Sequence, residues 1–411
     1  MPQSLVNFDN ALKELYAPGL RNAINNSSAI WSEAIKNTKD IIGEEAVWSV
    51  RSGRSSSTGS RAELASLPTA DRQRFVKARR GLSSVYHTIK VSGQAKHLTR
   101  TDASAFARAL DTEVKGAEKD LKNDMNRQVF GQAVTVNGAL STGVLGTLSA
   151  DPGVGTTWTF ANEDESTLRH FFPGMTFRAY DPATGSARTG TYEVLSVSRT
   201  AKTVTSTAAA DSTVASGDYI ARADASGTSL GNEIDGLRFL IGTANYAGIT
   251  AASNPVWNSV AVGSTSTPIS EVILDEAAEA VETDGSGDDF SDALFVAEHS
   301  QRRKLNSVLQ AQKRYEGRET TLKSGWKGLQ LAKGTLVVDR YCPTSYFFGI
   351  HRPELQKFIG LDFQWDEDDG QVFYKALDGS DAVEARFKGY VQLAATVRNC
   401  HVVGRLSAPT F

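Results

Sequence analysis

Six histidines (His87, His97, His170, His299, His351 and His401) and two cysteines (Cys342 and Cys400) are the side chains with which this 411-residue chain could do covalent or metal chemistry. Nucleophilic catalysis needs a Ser or Cys against a His that an acid orients. The histidines here stand in alternating or loop contexts with no GxSxG near them. Metal sites need ligands at short fixed spacings, and CxxC, HxxxH and HExxH are all missing. Neither GxxxxGK[ST] nor a GxGxxG following a strand is present to cradle phosphate. Both cysteines read as structural thiols. The expectation is a protein that is not an enzyme and takes no cofactor or metal.

The charged residues are more informative. From residue 51 to residue 80 there are eight basic side chains, Arg51, Arg54, Arg61, Arg72, Arg74, Lys77, Arg79 and Arg80, against Glu63 and Asp71, a local net of +6. Such a segment is a solvated loop or it has an acidic partner: nucleic acid, or the acidic surface of another subunit. Only Trp48, Phe75 and Tyr86 are near enough to stack on bases, so a subunit is the favoured partner. Acidic candidates are Glu282, Asp284, Asp288, Asp289 and Asp292, and Asp366, Glu367, Asp368 and Asp369. The first group resembles a calcium loop, but Ala293 stands where the twelfth-position Glu belongs. Both groups are read as acidic turns.

These charges need elements to carry them. Val47–Val50 and the run SSVYHTIKV at 83–91 alternate like strands and are expected to pair as the legs of a long hairpin with the basic segment at its tip. Residues 101–131 follow as an amphipathic helix, with Phe106, Leu110, Val114, Ala117, Leu121, Met125 and Val129 on one face. Thr101 and Asp102 would cap it and Gly131 stop it; its apolar steps drift from a strict heptad, against a coiled coil. Upstream, 10–15 and 29–42 carry short helical patterns.

Beyond the helix, 150–224 is rich in Gly, Ser, Thr and Ala, with short alternating runs about ten residues apart, which predicts a small β-barrel or sandwich. Residues 225–360 mix strands at 293–297, 335–339 and 345–350 with a helix after Ser270 and another over 300–314. The last stretch, 363–406, alternates again and needs a helix to cover it; the apolar stripe of 101–131 is the one left uncovered. With 40% hydrophobic and 22% charged residues and a net charge of −3, the chain is neither disordered nor globally basic. It has no long apolar run, and its opening residues lack a signal-peptide pattern. A protein that is neither exported nor membrane-spanning, in a reducing compartment, is expected.

This order of parts resembles the major capsid protein of tailed bacteriophages, the Hong Kong 97-type fold. At residue level the resemblance rests on GTLVVDRYCP at 334–343, on EARFKGYVQL at 384–393 with Val397, Arg398 and Asn399, and on FPGM at 172–175 through YDPATG at 180–185 to GDYI at 217–220. It implies an α+β fold with an N-terminal arm (1–44), an extended hairpin loop (45–97), a spine helix (98–134), a connector (135–149), the inserted β-domain (150–224), an axial domain (225–360) and C-terminal strands of the peripheral domain (361–411). It implies self-assembly into pentamers and hexamers of an icosahedral or prolate head around double-stranded DNA, held without sequence specificity. Partners would be further copies, a separate scaffolding protein, a portal protein and a decoration protein. The implied location is the virion, after assembly in the host bacterial cytoplasm. Some members crosslink a loop Lys to an Asn near the C-terminal strands; Lys77 and Asn399 are the conceivable pair, and crosslinking is not expected, since no buried carboxylate is evident to support it.

Overall fold

The structure, a computed structural model, describes residues 28–92, 103–136, 139–161, 167–223, 227–285, 290, 293–311, 319–321, 327–331, 333–367, 371–372, 374–375 and 380–409. The long helix spans Ala103–Val129, about 40 Å at 1.5 Å per residue. Val114, Ala117, Leu121, Met125 and Val129 form one buried stripe, none more than 4% exposed. Gly131 follows its end, donating to the Gln128 carbonyl at 2.8 Å. The side chains of Phe106 and Leu110, with Thr101, Asp102 and the pattern at 10–15, lie outside the described residues.

A five-stranded sheet covers the stripe. Ala382–Ala395 runs through its centre, antiparallel to Leu355–Trp365 and Tyr374–Lys375 on one side and to Ser83–Ser92 on the other. Ile35–Asn37 adds a parallel strand beyond Leu355–Trp365. Phe363, Phe387 and Val391 share the helix's core, as expected, and Ile30, Trp31, Val85 and Ile89 complete it.

The hairpin expectation is corrected. Glu45–Gly53 pairs with Arg74–Gly81, and Ser83–Ser92 crosses to Ala382–Ala395. Alternation identifies strands but not their partners, and FVKARRG, with only Ala78 fully buried, hides its strand character behind charge. The 29–42 pattern is likewise helical only over Ala29–Glu33, capped by the Ser28 hydroxyl; a helix this short is marginal alone, and Ile35–Asn37 gains more by pairing.

The inserted segment folds as a barrel with its own core. Its strand order is Gln132–Val136, Ala139–Thr147, Tyr219–Arg222, Thr176–Tyr180, Tyr192–Ser198, Thr203–Ser206, Thr157–Thr159. A bridge between Leu148 and Phe160 brings the last strand back against the second, and Trp158, Phe177, Tyr192 and Val204 pack inside. It starts at residue 132, because two strands follow the helix directly.

The α+β part is a mixed sheet ordered Val260–Gly263, Val402–Arg405, Tyr346–Ile350, Ala293–Ala297, Gly334–Val338, Lys327–Leu331, Glu319–Thr321. The helix Glu271–Asp284, capped by Ser270, packs on it. Val402–Arg405 belongs to this sheet and not, as the alternation suggested, beside the strands that precede it. Gly404 explains the choice: a Cβ there would lie 1.8 Å from the Phe347 ring, so only glycine fits between its neighbours. No helix among the described residues is long and apolar enough to cross a membrane.

Truncating Leu121 to Ala should cost about 2–5 kcal/mol by opening a cavity under the sheet. Gly116→Ala should instead add about 0.5–1 kcal/mol, because a Cβ at this exposed helical position meets nothing within 4 Å. Urea unfolding of both variants checks the pair; a destabilised Gly116→Ala would mean that the helix needs its flexible point.

Candidate intersubunit surfaces

The lower half of the hairpin belongs to the body. Ala46, Trp48, Val50 and Ala78 are buried, Trp48 stacks on Phe358 with centroids 5.6 Å apart, and the Arg79 N–H donates to the Ala247 carbonyl. Beyond Arg51 that support ends. Leu64 is fully exposed, Leu67 is 85% exposed and Phe75 62%. The tip holds its shape through Asp71, which accepts from the Ser56 N–H and hydroxyl and from the Arg72 N–H at 2.8–2.9 Å. Those hydrogen bonds keep the Asp71 carboxyl below the usual carboxylate range.

Of the eight basic candidates, Arg51, Arg54, Arg61, Arg72, Arg74, Lys77 and Arg79 stand on the surface. Arg80 does not behave as a free tip residue. Its guanidinium forks onto Asp235, Nε to Oδ2 and Nη2 to Oδ1, both at 2.7 Å, inside the same chain. The acidic candidates divide similarly. Glu282 binds Lys333 at 2.8 Å and Asp366 binds Lys388 at 2.6 Å, whereas Asp284 and Glu367 are exposed. Asp288, Asp289, Asp292, Asp368 and Asp369 lie outside the described residues. Lys77 is exposed, and Asn399 is half-buried with its side-chain oxygen enclosed.

The residues that set the hairpin's angle were not singled out from sequence. The segment 233–236 threads between the hairpin root, the helix end, the barrel neck and the central sheet. Glu233 takes both Arg127 nitrogens at 2.6 and 2.9 Å, and its carbonyl accepts from the Ser83 and Thr142 hydroxyls. Gln392 accepts from the Asp235 N–H and donates to the Gly81 carbonyl. A Cβ on Gly236 would come within 2.3 Å of the Gly131 nitrogen. The visible signal was EIDG, two carboxylates and a glycine within 225–237, which is otherwise uncharged. A GxSxG string also stands nearby at 227–231, but Ser229 donates to the Arg222 carbonyl from a loop and not from a strand-to-helix turn.

Burial governs the titration of this core. It pushes the Asp235 and Asp339 carboxyls up to about 6, against the pull of Arg80 on the first and of the Tyr341 N–H on the second. Burial also drives the His170 and His401 imidazoles down to about 3, helped by Arg127 and His351 respectively. The unfolded chain therefore binds more protons at the histidines between about pH 3 and 6.5, so their contribution is present above that window and lost as pH falls through it. The carboxylates act oppositely between about pH 4 and 6. The histidine displacements are larger, so stability should rise with pH from about 4 to 7, and His401→Gln should flatten the rise. Denaturant midpoints at several pH values check this; a parent profile falling with pH would contradict it.

No family model and no curated protein matches the chain. Among solved structures, a chain of the cyanophage A-1(L) capsid asymmetric unit is similar over 96% of this chain and 93% of its own, at 12% identity and a TM-score of 0.54. The capsid of an empty GTA particle aligns over 93% and 90% at 10% identity and a TM-score of 0.47. An encapsulin complex from Synechococcus elongatus aligns over 93% and 90% at 8% and 0.44. The chain has the mixed α+β fold of a phage capsid protein.

Proposed function

We propose that this chain is the major capsid protein of a tailed phage, assembling with copies of itself into the pentamers and hexamers of a head shell that encloses double-stranded DNA. The observation that carries the proposal is a basic hairpin, projecting from a capsid-protein fold, whose Leu64, Leu67 and Phe75 find no core in their own subunit. Apolar side chains on a projecting arm are stabilised only when another surface covers them. Under this reading 51–79 overlaps a neighbour, the long helix is the peripheral spine, the mixed sheet is the axial domain, and a scaffolding protein and a portal protein take part in assembly, with a decoration protein as a further candidate partner. Asp284 and Glu367, each exposed, are the remaining candidate acceptors for the tip. Each exposed ion pair is worth about 0–1 kcal/mol, so strength comes from repetition around a closed shell.

Arg72→Glu, Arg74→Glu and Arg79→Glu combined should abolish shells in electron micrographs while leaving the denaturation midpoint unchanged; Arg80 is left alone because it holds the fold. Normal particles from that variant would reject the proposal. Titration of the same variant and its parent with duplex DNA at rising salt tests the nucleic-acid alternative, which demands a steep salt slope that the variant loses.

Covalent crosslinking is not part of the proposal. Boiled particles should run in a denaturing gel as one band near 44.2 kDa; a ladder of multiples would show that Lys77 or another Lys reaches an acceptor.

A further inference from the structure

Between the flank of the long helix and the loops of the barrel lies a crevice of about 980 Å³, whereas recesses beside the hairpin root and near His299 hold about 450 and 490 Å³. Leu121 of the helix and Leu168, Phe171 and Met175 of the barrel line it. All four are buried members of their cores, and they give the floor an apolar patch beside the polar walls of Asp124, Arg127 and His170. At the mouth stand Phe172, 49% exposed, and Tyr86, 56% exposed.

The charge around this mouth is unbalanced. Arg127 and Arg169 in the walls are engaged by Glu233 and Asp124, and by Glu298. Asp124 is already shared among Arg127, Gln128 and Arg222. Arg222 also lies over the Phe172 ring at 5.9 Å. Arg199 and Arg340 are exposed, and among the described residues neither has a carboxylate within ion-pair distance. Asp120 is the remaining acid of the lining. The His87 and His170 rings are held neutral by burial and add no charge.

We propose that this crevice docks an acidic segment of a separate protein, one apolar side chain entering against Phe172 and its flanking carboxylates meeting Arg199, Arg222 and Arg340. Guanidinium groups at the lip of an apolar slot match carboxylates flanking an anchor. A phosphate backbone would leave that floor unused. Among this chain's own acidic candidates, Glu282 and Asp366 are held by Lys333 and Lys388, and Asp284 and Glu367 are the acceptors proposed for the hairpin tip, which favours a different protein over a second copy.

The test uses the full chain and a short fluorescein-labelled peptide in which Asp and Glu flank Leu and Phe, read by fluorescence anisotropy. Saturable binding is expected, weakened about tenfold or more, equivalent to 1.4 kcal/mol, in the Arg199→Glu, Arg340→Glu double variant, and weakened also by Phe172→Ser. The denaturation midpoints and shell formation of these variants should match the parent. Four results would each overturn the proposal: no binding, equal binding by the variants, equal binding of a peptide with Ser for Leu and Phe, or loss of shell formation in the double variant. Full displacement of the peptide by duplex DNA would overturn it too, by marking a general polyanion surface.

Discussion

The rest of this chain turns on two ion pairs, one enclosed on both sides and the other formed on a fully buried carboxylate. Arg127–Glu233 and Arg80–Asp235 fasten the segment 233–236 to the helix end and to the hairpin root, with Gln392 tying in the central sheet. Pairs of this kind are weak evidence for net stability, since desolvation offsets much of the attraction, yet removing one partner typically costs about 3–5 kcal/mol. Their value is geometric. Forked guanidinium–carboxylate bonds accept one orientation, so the hairpin leaves the body at a fixed angle, while its root, the helix and the central sheet share one core and the barrel keeps its own.

That arrangement divides the molecule's charge into two classes. Charges near the 233–236 segment are paired and fix the fold. Those beyond residue 51 are mostly solvated and leave their binding capacity for other molecules. Arg79 and Arg80 are adjacent in sequence and fall on opposite sides of this line: Arg79 is exposed, 3.8 Å from a half-exposed Glu45, while Arg80 is forked onto a fully buried Asp235. The hairpin tip thus gains its positive field without loosening its root.

Sequence patterning carried the local structure well and the pairing poorly. Ser270 ahead of its helix, the stripe from Val114 to Val129 and the short alternating runs of the barrel segment were legible because each depends on periodicity or on one capping oxygen within a few residues. The partner of Ser83–Ser92 was not, because it lies some three hundred residues away and alternation carries no address. Arg80 and Asp235 were hidden for a related reason. A charge run looks the same whether one of its members faces water or a buried carboxylate 155 positions on.

Gly131 and Gly236 touch where the chain enters and leaves the barrel, so closely that Gly236 has no room for a side chain against the Gly131 backbone. The barrel is therefore a cassette hung on a closed neck: the strands between those glycines, short of the Glu233–Asp235 segment that anchors the fold, could be lengthened or exchanged while the distance to be spanned stays that of a single tight turn. Loop-closure entropy grows only slowly with the length of what is inserted. The barrel can be remodelled at this point without altering the register of either large sheet.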